Sequence, residues 1–563
     1  MATKTDPDLG GAIPDSCGIN LYRADADAAT LFAHYLPDAL FRHLEPTFDY
    51  LGGVAGGRLD RLAGIADHNP PTLSVRRRTG EDCNVVLKHP AYIEMERLAF
   101  SELGLAALSH RGVLGWPEPM PPAAKYALTY LFVQAEFGLM CPVSMTDSLT
   151  RTLKRYGDSN LVTRFIERLT TLDFDELMQG SMFMTEQGAG SDVSATATRA
   201  VSQPDGTWKL TGDKWFCSNA DADLAMVLAR SEDVPGMKGI SLFLLPKVKS
   251  DGRPNDYRIL RLKDKLGTRS MASGEIRFDG AEAYLVGERG RGFNQMADMV
   301  NNSRLSNGVR AAGLMRRAVT EALFVSRRRR AFGRRLIELP LMRRQLAKML
   351  VWTEQARTMM FLTADALDRA NRNDIVGAKL ARILTPLIKF RACRDARKVT
   401  GDAMEVRGGC GYIEEWPDGR LLRDAHLGSI WEGTSNIVAL DVSRAISHND
   451  ALPALRTLNE TLLRDASLNR HAHALFVETL DRACEFAVEV AAKKSEGLAR
   501  QSASALYHIT SAIGLAREAT ACRTPHRLAL ARMVLTHRLL PRDPLGGDEQ
   551  VANIDQILTD EMS

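Results

Sequence analysis

The sequence contains no long apolar run. None approaches the roughly 20 consecutive apolar residues that a helix needs to cross a bilayer. The opening stretch MATKTDPDLGGAIPDSCG also has no apolar core of the kind found in secretory signals. We therefore expect a cytoplasmic protein that does not enter a membrane.

Cysteine is sparse and scattered. The chain of 563 residues has eight cysteines and no C-x-x-C pair. They stand at positions 17, 83, 141, 217, 393, 410, 484 and 522. Such spacing suits neither a zinc site nor a disulfide framework, so we expect no bound metal and a reducing compartment.

The chain also lacks a strong excess of charge of either sign. It carries 73 basic and 69 acidic residues, for a net charge of +4. Whole-chain electrostatics therefore neither favour nor exclude an anionic partner, and any basic surface must be local. The 45% hydrophobic and 25% charged content is typical of a globular protein, and the length predicts several domains.

Four zones follow one another along the chain. Apolar residues at three-to-four spacing, as in KHPAYIEMERLAFSEL, predict helices at first. Short β-branched and aromatic runs such as WKLTGDKWFCS and ISLFLLPKV then predict strands. Long helical patterns follow, among them ALFVSRRRRAFGRRL. We predict a mainly α fold with an inserted β-domain: a helical domain at 1–178, a β-domain at 179–285, a helical bundle at 286–445 and a further helical domain at 446–563.

Four motifs are candidates for binding chemistry. MTEQGAGSD has glycines whose turns expose N–H groups to phosphate oxygens, although a plain connector is the simpler interpretation of this loop on its own. KWFCSN offers aromatic rings that cover a cofactor or fill a β-core. SRRRRAFGRRL supplies arginines for a pyrophosphate, for nucleic acid or for a solvated helix face. GGCGY is a further glycine turn, which closely precedes SIWEGTSNIV.

Glu432 in SIWEGTSNIV has two readings. It belongs to a turn before a helix, where Thr434, Ser435 or Asn436 caps free N–H groups. Alternatively, it is a general base in a dry pocket, where lost hydration raises the pKa of its carboxyl. The residues around it leave both readings open.

The order of the motifs resembles a known family. MTEQGAGSD, KWFCSN, KLGTRSMASGEIRFDG, RRAFG, GGCGY and IWEGTSNI together look like the acyl-CoA dehydrogenase family of flavoproteins. The resemblance implies an N-terminal helical domain, a middle β-domain and a C-terminal four-helix bundle, with an additional C-terminal helical domain in this chain. It also implies that FAD lies between the β-domain and the bundle, with part of its site supplied by a neighbouring subunit.

The resemblance assigns roles to individual residues. It implies that Glu432 is the catalytic base, because the alternative base position of the family is Ser303 here, which cannot remove a proton. The implied FAD contacts are Met182, Met184, Thr185, Ser191, Phe216, Ser218, Arg329, Phe332, Gly408, Gly409, Thr434 and Asn436. The implied substrate contacts are Ser191, Arg304 and Trp431, where Trp431 replaces the usual tyrosine beside the base.

A closer resemblance is to the family members of the DNA alkylation response. It is carried by IADHNPP at 65–71, LMCPVSMT at 139–146, RLKDKLGTRSMAS at 261–273 and RRAFGRRLIELPLMRR at 329–344. It implies a homotetramer, a dimer of dimers, that binds double-stranded DNA and has weak or residual acyl-CoA dehydrogenase activity of the isovaleryl-CoA type. The alternatives are an ordinary metabolic acyl-CoA dehydrogenase and a flavoprotein oxidase.

The C-terminal zone is the expected DNA contact. The stretch 517–542 is rich in arginine, and we predict non-specific contacts with phosphates from Arg517, Arg523, Arg527 and Arg538. Arg523 and Arg527 are one helical turn apart, and Arg538 follows Arg527 by three turns. The other reading is a solvated or interface helix.

Overall fold

The computed structural model describes residues 13–543, 545 and 551–559. The ends of the first and last predicted domains, residues 1–12 and 560–563, lie outside this range. The described chain is mainly helical with one β-barrel between helical blocks, which confirms the predicted fold class.

The described part of the first block contains seven α-helices and one hairpin. The helices are α1 (Ala28–Tyr35), α2 (Asp38–Gly56), α3 (Arg58–His68), α4 (Pro90–Arg97), α5 (Pro122–Phe132), α6 (Met140–Tyr156) and α7 (Ser159–Thr170). Strands β1 (Thr72–Arg76) and β2 (Asp82–Leu87) pair antiparallel between α3 and α4. The sequence did not lead us to expect this hairpin. Asp158 begins α7 by accepting a hydrogen bond from the Leu161 N–H, as an N-cap aspartate should.

The β-domain is a closed barrel. Its strands are β3 (Gly180–Phe183), β4 (Arg199–Ser202), β5 (Trp208–Ser218), β6 (Leu224–Arg230), β7 (Ile240–Pro246), β8 (Tyr257–Leu262) and β9 (Ser273–Val286). Pairing runs from β6 through β4, β5, β9 and β7 and returns to β6, while β3 flanks β6 and β8 flanks β9. The β6 and β7 strands are buried along nearly their whole length, so the barrel has an apolar core of its own.

The bundle begins directly after the barrel. It comprises α8 (Gly292–Arg328), a small hairpin of β10 (Arg330–Ala331) and β11 (Arg334–Arg335), α9 (Pro340–Asn371), α10 (Ile375–Arg407), α11 (Asp418–Gly428) and α12 (Ser435–Asn449). The prediction of one helix over ALFVSRRRRAFGRRL is wrong at its C-terminal end. Phe332 and Gly333 have φ of 52° and 76°, the left-handed pair that a tight hairpin turn requires, so the helix ends at Arg328.

The last zone packs onto the bundle. Its helices are α13 (Ala451–Arg464), α14 (Arg470–Ala492), α15 (Ala499–Ala521), α16 (Pro525–Val534) and α17 (Val551–Leu558). Helix α15 lies against α9, α10 and α12. Among the described helices, none combines the length and apolar character that a membrane crossing demands.

A buried ion network joins α15 and α16 to the rest of the chain. Arg527 Nη1 lies 2.6 Å from Asp27 Oδ2 and 2.8 Å from Glu354 Oε2, and its Nη2 lies 2.6 Å from Glu518 Oε2. Arg357 Nη1 lies 2.6 Å from Asp25 Oδ2. The network therefore connects the segment before α1, helix α9 of the bundle, and the C-terminal zone.

This network overturns part of the predicted DNA face. Arg527 is 0% exposed and has carboxylate partners, so it cannot meet a phosphate at the surface. Arg523 lies before α16, in the turn after α15, with a φ of 56°; it is exposed but does not share a helix face with Arg527. Arg517 is half-buried against His34. The guanidinium of Arg538 lies 4.8 Å from the centre of the Trp352 ring.

We expect the Arg527→Met variant to lose about 3–5 kcal/mol of stability, because it leaves the carboxylates of Asp27, Glu354 and Glu518 without their shared cation. Thermal and denaturant unfolding of the purified protein measure the loss. The matched control, Arg523→Ala, removes an exposed arginine from the same region and should leave the midpoint unchanged. Equal midpoints for Arg527→Met and wild type would contradict a structural role for the network.

Candidate active site

Glu432 lies in the turn between α11 and α12. Its φ is 56° and that of Gly433 is 96°, so two consecutive residues adopt left-handed backbone, which is uncommon for glutamate. Two cations hold this turn. Arg304 Nε on α8 donates to the Glu432 carbonyl at 3.0 Å, and Lys389 Nζ on α10 donates to the Gly433 carbonyl. The strained turn is therefore fixed by side chains of two bundle helices.

The structure gives little support to the interpretation of this stretch as a helix cap. Thr434 is the N-cap residue of α12, but its side chain makes no capping hydrogen bond. Thr434 and Asn436 are both exposed. Their polar groups are thus accessible at the N-terminus of a 15-residue helix, where backbone N–H groups favour anions.

The Glu432 carboxyl is buried and incompletely paired. Its Oε2 has no hydrogen-bond partner among the described residues. Burial raises the pKa of Glu432, and the Ser303 hydroxyl together with the cations of Lys389, Arg304 and Arg310 opposes that rise. A carboxylate in such surroundings gains basicity, which is the property that a general base needs near neutral pH.

Aromatic rings form a wall beside the base. Trp431 is stacked on Phe137 with ring centres 6.0 Å apart and an interplanar angle of 17°. The guanidinium of Arg310 lies 4.7 Å from the centre of the Trp431 ring and 5.4 Å from that of Phe137. The Trp431 indole N–H has no partner among the described residues. Trp431 thus contributes a flat wall and a free hydrogen-bond donor.

The guanidinium of Arg304 already binds two groups of the chain, which leaves less of it for contact with a substrate. Besides the Glu432 carbonyl, it binds Asp441, with Nη1 2.8 Å from Oδ2. Its observed contacts make it a residue that positions the base, and its contact with substrate stays a prediction.

One group of predicted cofactor residues gathers at the ends of β3 and β5. The Trp215 N–H donates to the Thr185 carbonyl at 2.8 Å, which brings KWFCSN beside MTEQGAGSD. Met182, Met184, Thr185 and Ser218 are half-buried, and Ser191 is exposed. Phe216 leaves 55% of its surface exposed. A half-bare ring on a barrel surface suits a planar cofactor.

The second group lies on the hairpin and the glycine turn. Arg329 Nη1 donates to the Arg407 carbonyl at 2.9 Å, so RRAFG meets GGCGY. Gly408 has a φ of 75°, which favours glycine. A Cβ added at Gly409 would meet no atom within 4 Å. Phe332, at the hairpin tip, is 94% exposed.

The glycine loop of MTEQGAGSD is equally open. A Cβ added at Gly188 or Gly190 would meet no atom within 4 Å. These glycines are therefore not required by packing inside the chain. They leave room for the close approach of a ligand to the backbone.

Sequence reasoning missed two residues of the site. Asn307 and Arg310 lie on α8 after Ser303 and are buried to the same degree. The sequence did contain a signal for them. Positions 303, 307 and 310 are separated by four and then three residues, which places them on one face of a helix. Polar residues on a helix face that packs toward the interior indicate a binding site.

Comparison with known proteins agrees with this geometry. Residues 12–176 match the family model of the adaptive response protein AidB N-terminal domain, 181–281 that of the acyl-CoA dehydrogenase middle domain, and 290–447 that of the acyl-CoA dehydrogenase C-terminal domain. The putative acyl-CoA dehydrogenase AidB of Escherichia coli is 36% identical over 413 residues, which cover 70% of this chain and 72% of that protein. The chain belongs to the AidB branch of the acyl-CoA dehydrogenase family.

A curated relative and a solved structure are also similar to this AidB-family chain. Acyl-CoA dehydrogenase family member 11 of Caenorhabditis elegans is 31% identical over 443 residues, covering 76% of this chain and 71% of that protein. The crystal structure of Caenorhabditis elegans ACDH-11 in complex with C11-CoA matches with a TM-score of 0.89 and 27% identity, covering 100% of this chain and 98% of that one. The additional C-terminal helices are therefore shared with this relative.

This AidB-family chain is an FAD-dependent oxidoreductase of the acyl-CoA dehydrogenase type. The residues fit the cofactor: the half-exposed Phe216 and the open glycines at 188 and 190 present surface that packing inside the described chain does not use. The buried Glu432 Oε2 has no hydrogen-bond partner among the described residues. When bound, FAD supplies an acceptor for hydride.

The Glu432→Gln variant tests the burial of the base. Because the pKa of Glu432 is raised on folding, the folded chain retains a proton that the unfolded chain releases. Wild type should therefore lose stability relative to the variant as pH rises from the ordinary glutamate pKa through the raised one. Thermal midpoints between pH 4 and 8 measure this difference. Glu415→Gln, at an exposed position, serves as control. The prediction would be contradicted if the difference in thermal midpoint between Glu432→Gln and wild type stayed constant across this pH range.

Proposed function

We propose that this protein catalyses the α,β-dehydrogenation of an acyl-CoA thioester, with Glu432 as the base. The observation that carries the proposal is the buried Glu432 carboxyl, with an unpaired Oε2 and a raised pKa, beside residues that fit FAD. Glu432 removes the α-proton of the substrate while hydride leaves the β-carbon. The carboxylate that removes a weakly acidic C–H proton must be dry to be basic enough.

The backbone of the same turn contributes a second function. The Glu432 N–H has no acceptor among the described residues. We assign it to the thioester carbonyl, where negative charge develops as the α-proton leaves. Arg304 and Lys389 fix this N–H by binding the two carbonyls of the turn. An acyl-CoA ligand is supported by the ACDH-11 structure, which was solved in complex with C11-CoA.

We expect Glu432→Gln to slow flavin reduction by acyl-CoA by 10²–10⁴-fold, the usual contribution of a positioned general base. Anaerobic loss of flavin absorbance after mixing with a panel of acyl-CoA thioesters measures the rate. Glu415→Gln, which neutralises an exposed carboxylate, should reduce at the wild-type rate. Reduction by Glu432→Gln at the wild-type rate would rule out Glu432 as the base.

We further propose that the protein associates with double-stranded DNA in the response to alkylation damage and turns over acyl-CoA weakly. The similarity to AidB of Escherichia coli and the match to the AidB N-terminal domain support this role. Since Arg527 is buried, the candidate contacts are the exposed residues Arg523 and Arg538, with the half-buried Arg517. The nearby Arg532 on α16 is also exposed. Turnover at a metabolic rate with no DNA affinity would favour the alternative, an ordinary metabolic acyl-CoA dehydrogenase.

We propose a homotetramer in which the hairpin reaches a neighbouring copy. Phe332, Leu341 and Tyr412 are 94%, 83% and 84% exposed and belong to the hairpin, the start of α9 and the glycine turn. Large apolar side chains on neighbouring segments are typical of an interface. Arg329 would then complete the cofactor site of the neighbouring copy.

The Arg523→Ala/Arg532→Ala double variant should bind duplex DNA more weakly, with a salt dependence reduced by about one unit of log–log slope for each phosphate contact removed. Gel shifts or anisotropy at several salt concentrations measure this. The control, Arg77→Ala/Arg78→Ala, removes the same charge from exposed positions in the N-terminal hairpin. Equal weakening by both double variants would indicate a general charge effect and exclude a specific C-terminal surface.

A further inference from the structure

One arginine in the interior differs from all the other large buried arginines. Those fully buried in the described chain are Arg310, Arg316, Arg317, Arg357, Arg407 and Arg527. Each of the last five lies within 4 Å of at least one Asp or Glu oxygen, for example Arg317 with Asp60 and Arg407 with Asp418. Arg310 makes no direct ion pair with a carboxylate among the described residues, and Glu432 influences it only through the electrostatic field. A buried cation without a direct ion pair is costly, and a carboxylate from outside the chain would supply one.

Asn307, a neighbour of Arg310 on α8, is unpaired as well. Ser303, Asn307 and Arg310 share one helix face, and all are 0–1% exposed. Both amide atoms of Asn307 and Arg310 Nη1 have no hydrogen-bond partner among the described residues. Folded proteins rarely leave so many buried polar atoms unsatisfied in one place. A polar ligand is the simplest group that would satisfy them together.

The rings beside Arg310 fix its orientation. Its guanidinium is held against the rings of Trp431 and Phe137, and its Nε donates to the Ser306 carbonyl at 3.3 Å. Nη1 is left free. A planar guanidinium with one edge free is suited to a carboxylate.

The position of Arg310 relative to the base identifies the part of the substrate that it would meet. Glu432 lies at the level of Arg304, whose Nε binds its carbonyl. Arg310 is nearly two helical turns further along α8, roughly 9 Å along the axis. Asn307 lies between them. The base acts beside the thioester, so Arg310 faces the distal part of the acyl group.

We propose that Arg310, assisted by Asn307, binds a carboxylate at the far end of the acyl chain, so that the substrate is the CoA thioester of a dicarboxylic acid. This inference rests on the proposed function for the thioester end of the substrate. It departs from a simple aliphatic substrate, because a fatty chain would leave the cation and the amide of this face buried and unpaired.

Matched pairs of CoA thioesters test the proposal. The pairs are butyryl-CoA with succinyl-CoA, and hexanoyl-CoA with adipyl-CoA, each differing in the terminal carboxylate. Calorimetry and perturbation of the flavin spectrum measure their affinities for the FAD-loaded protein. Wild type should bind the carboxylate member of at least one pair roughly tenfold or more tightly, as expected for a charged hydrogen bond in a buried site.

Arg310→Met should reverse this preference, because methionine retains bulk and contributes apolar surface. Its affinity for hexanoyl-CoA should rise above that of wild type, a gain that a misfolded variant cannot show. Asn307→Ala should weaken the preference without reversing it. The proposal is overturned if wild type prefers the unsubstituted member of both pairs, or if Arg310→Met has the same affinity ratios as wild type.

The outcome is separable from that of the proposed function. Glu432→Gln should keep the carboxylate preference in binding while losing flavin reduction. If wild type shows the preference but no thioester reduces its flavin, dehydrogenation fails and the anion site stands. If unsubstituted thioesters bind best and reduce the flavin, the anion site fails and dehydrogenation stands.

Discussion

A charge buried in a protein is tolerated when an opposite charge and hydrogen bonds accompany it, and this constraint organises the interior of the chain. Arg527 and Arg357 bind carboxylates contributed by the segment before α1, by α9 and by α15. Arg407 binds Glu321 and Asp418 in the same way. Removing one partner leaves the others uncompensated, so these pairs require the N-terminal segment, the bundle and the C-terminal zone to pack together.

The candidate active site is where the same constraint is not met. Within the part of the chain that the structure describes, Glu432 Oε2, the Trp431 N–H and Arg310 Nη1 lack partners, although the surrounding helices supply paired cations. The turn of the base is itself held by Arg304 and Lys389, and burial lowers the pKa of Lys389 to about 8. The turn that carries the base is thus held by bound cations, while polar atoms within the site lack hydrogen-bond partners among the residues that the structure describes. Such a contrast is typical of residues selected for a ligand rather than for stability.

The broad fold could be predicted from the sequence, because apolar periodicity changes from helical to alternating and back at the ends of the barrel. Local departures from these regular patterns could not be predicted. The helix over the arginine run ends at Arg328 because Phe332 and Gly333 form a turn, which spacing alone does not reveal. The motifs supplied candidate residues for the site, and their roles stay predictions. Arg527 was assigned to the surface because its partners, Asp27 and Glu354, are remote in sequence. Arg310 was missed for the converse reason, since its lack of a partner is visible only in three dimensions.

The base and the distal cation are electrostatically linked, and this linkage bears on selectivity. The charge of Arg310 lowers the pKa of Glu432 against the effect of burial. A substrate carboxylate bound at Arg310 would offset that charge and would itself repel the Glu432 carboxylate, so both effects would raise the pKa of the base. A bound aliphatic chain would leave the field of Arg310 in place and the base weaker. The substrate that fits the buried cation would therefore also strengthen the group that removes its α-proton, so that recognition and proton abstraction discriminate in the same direction.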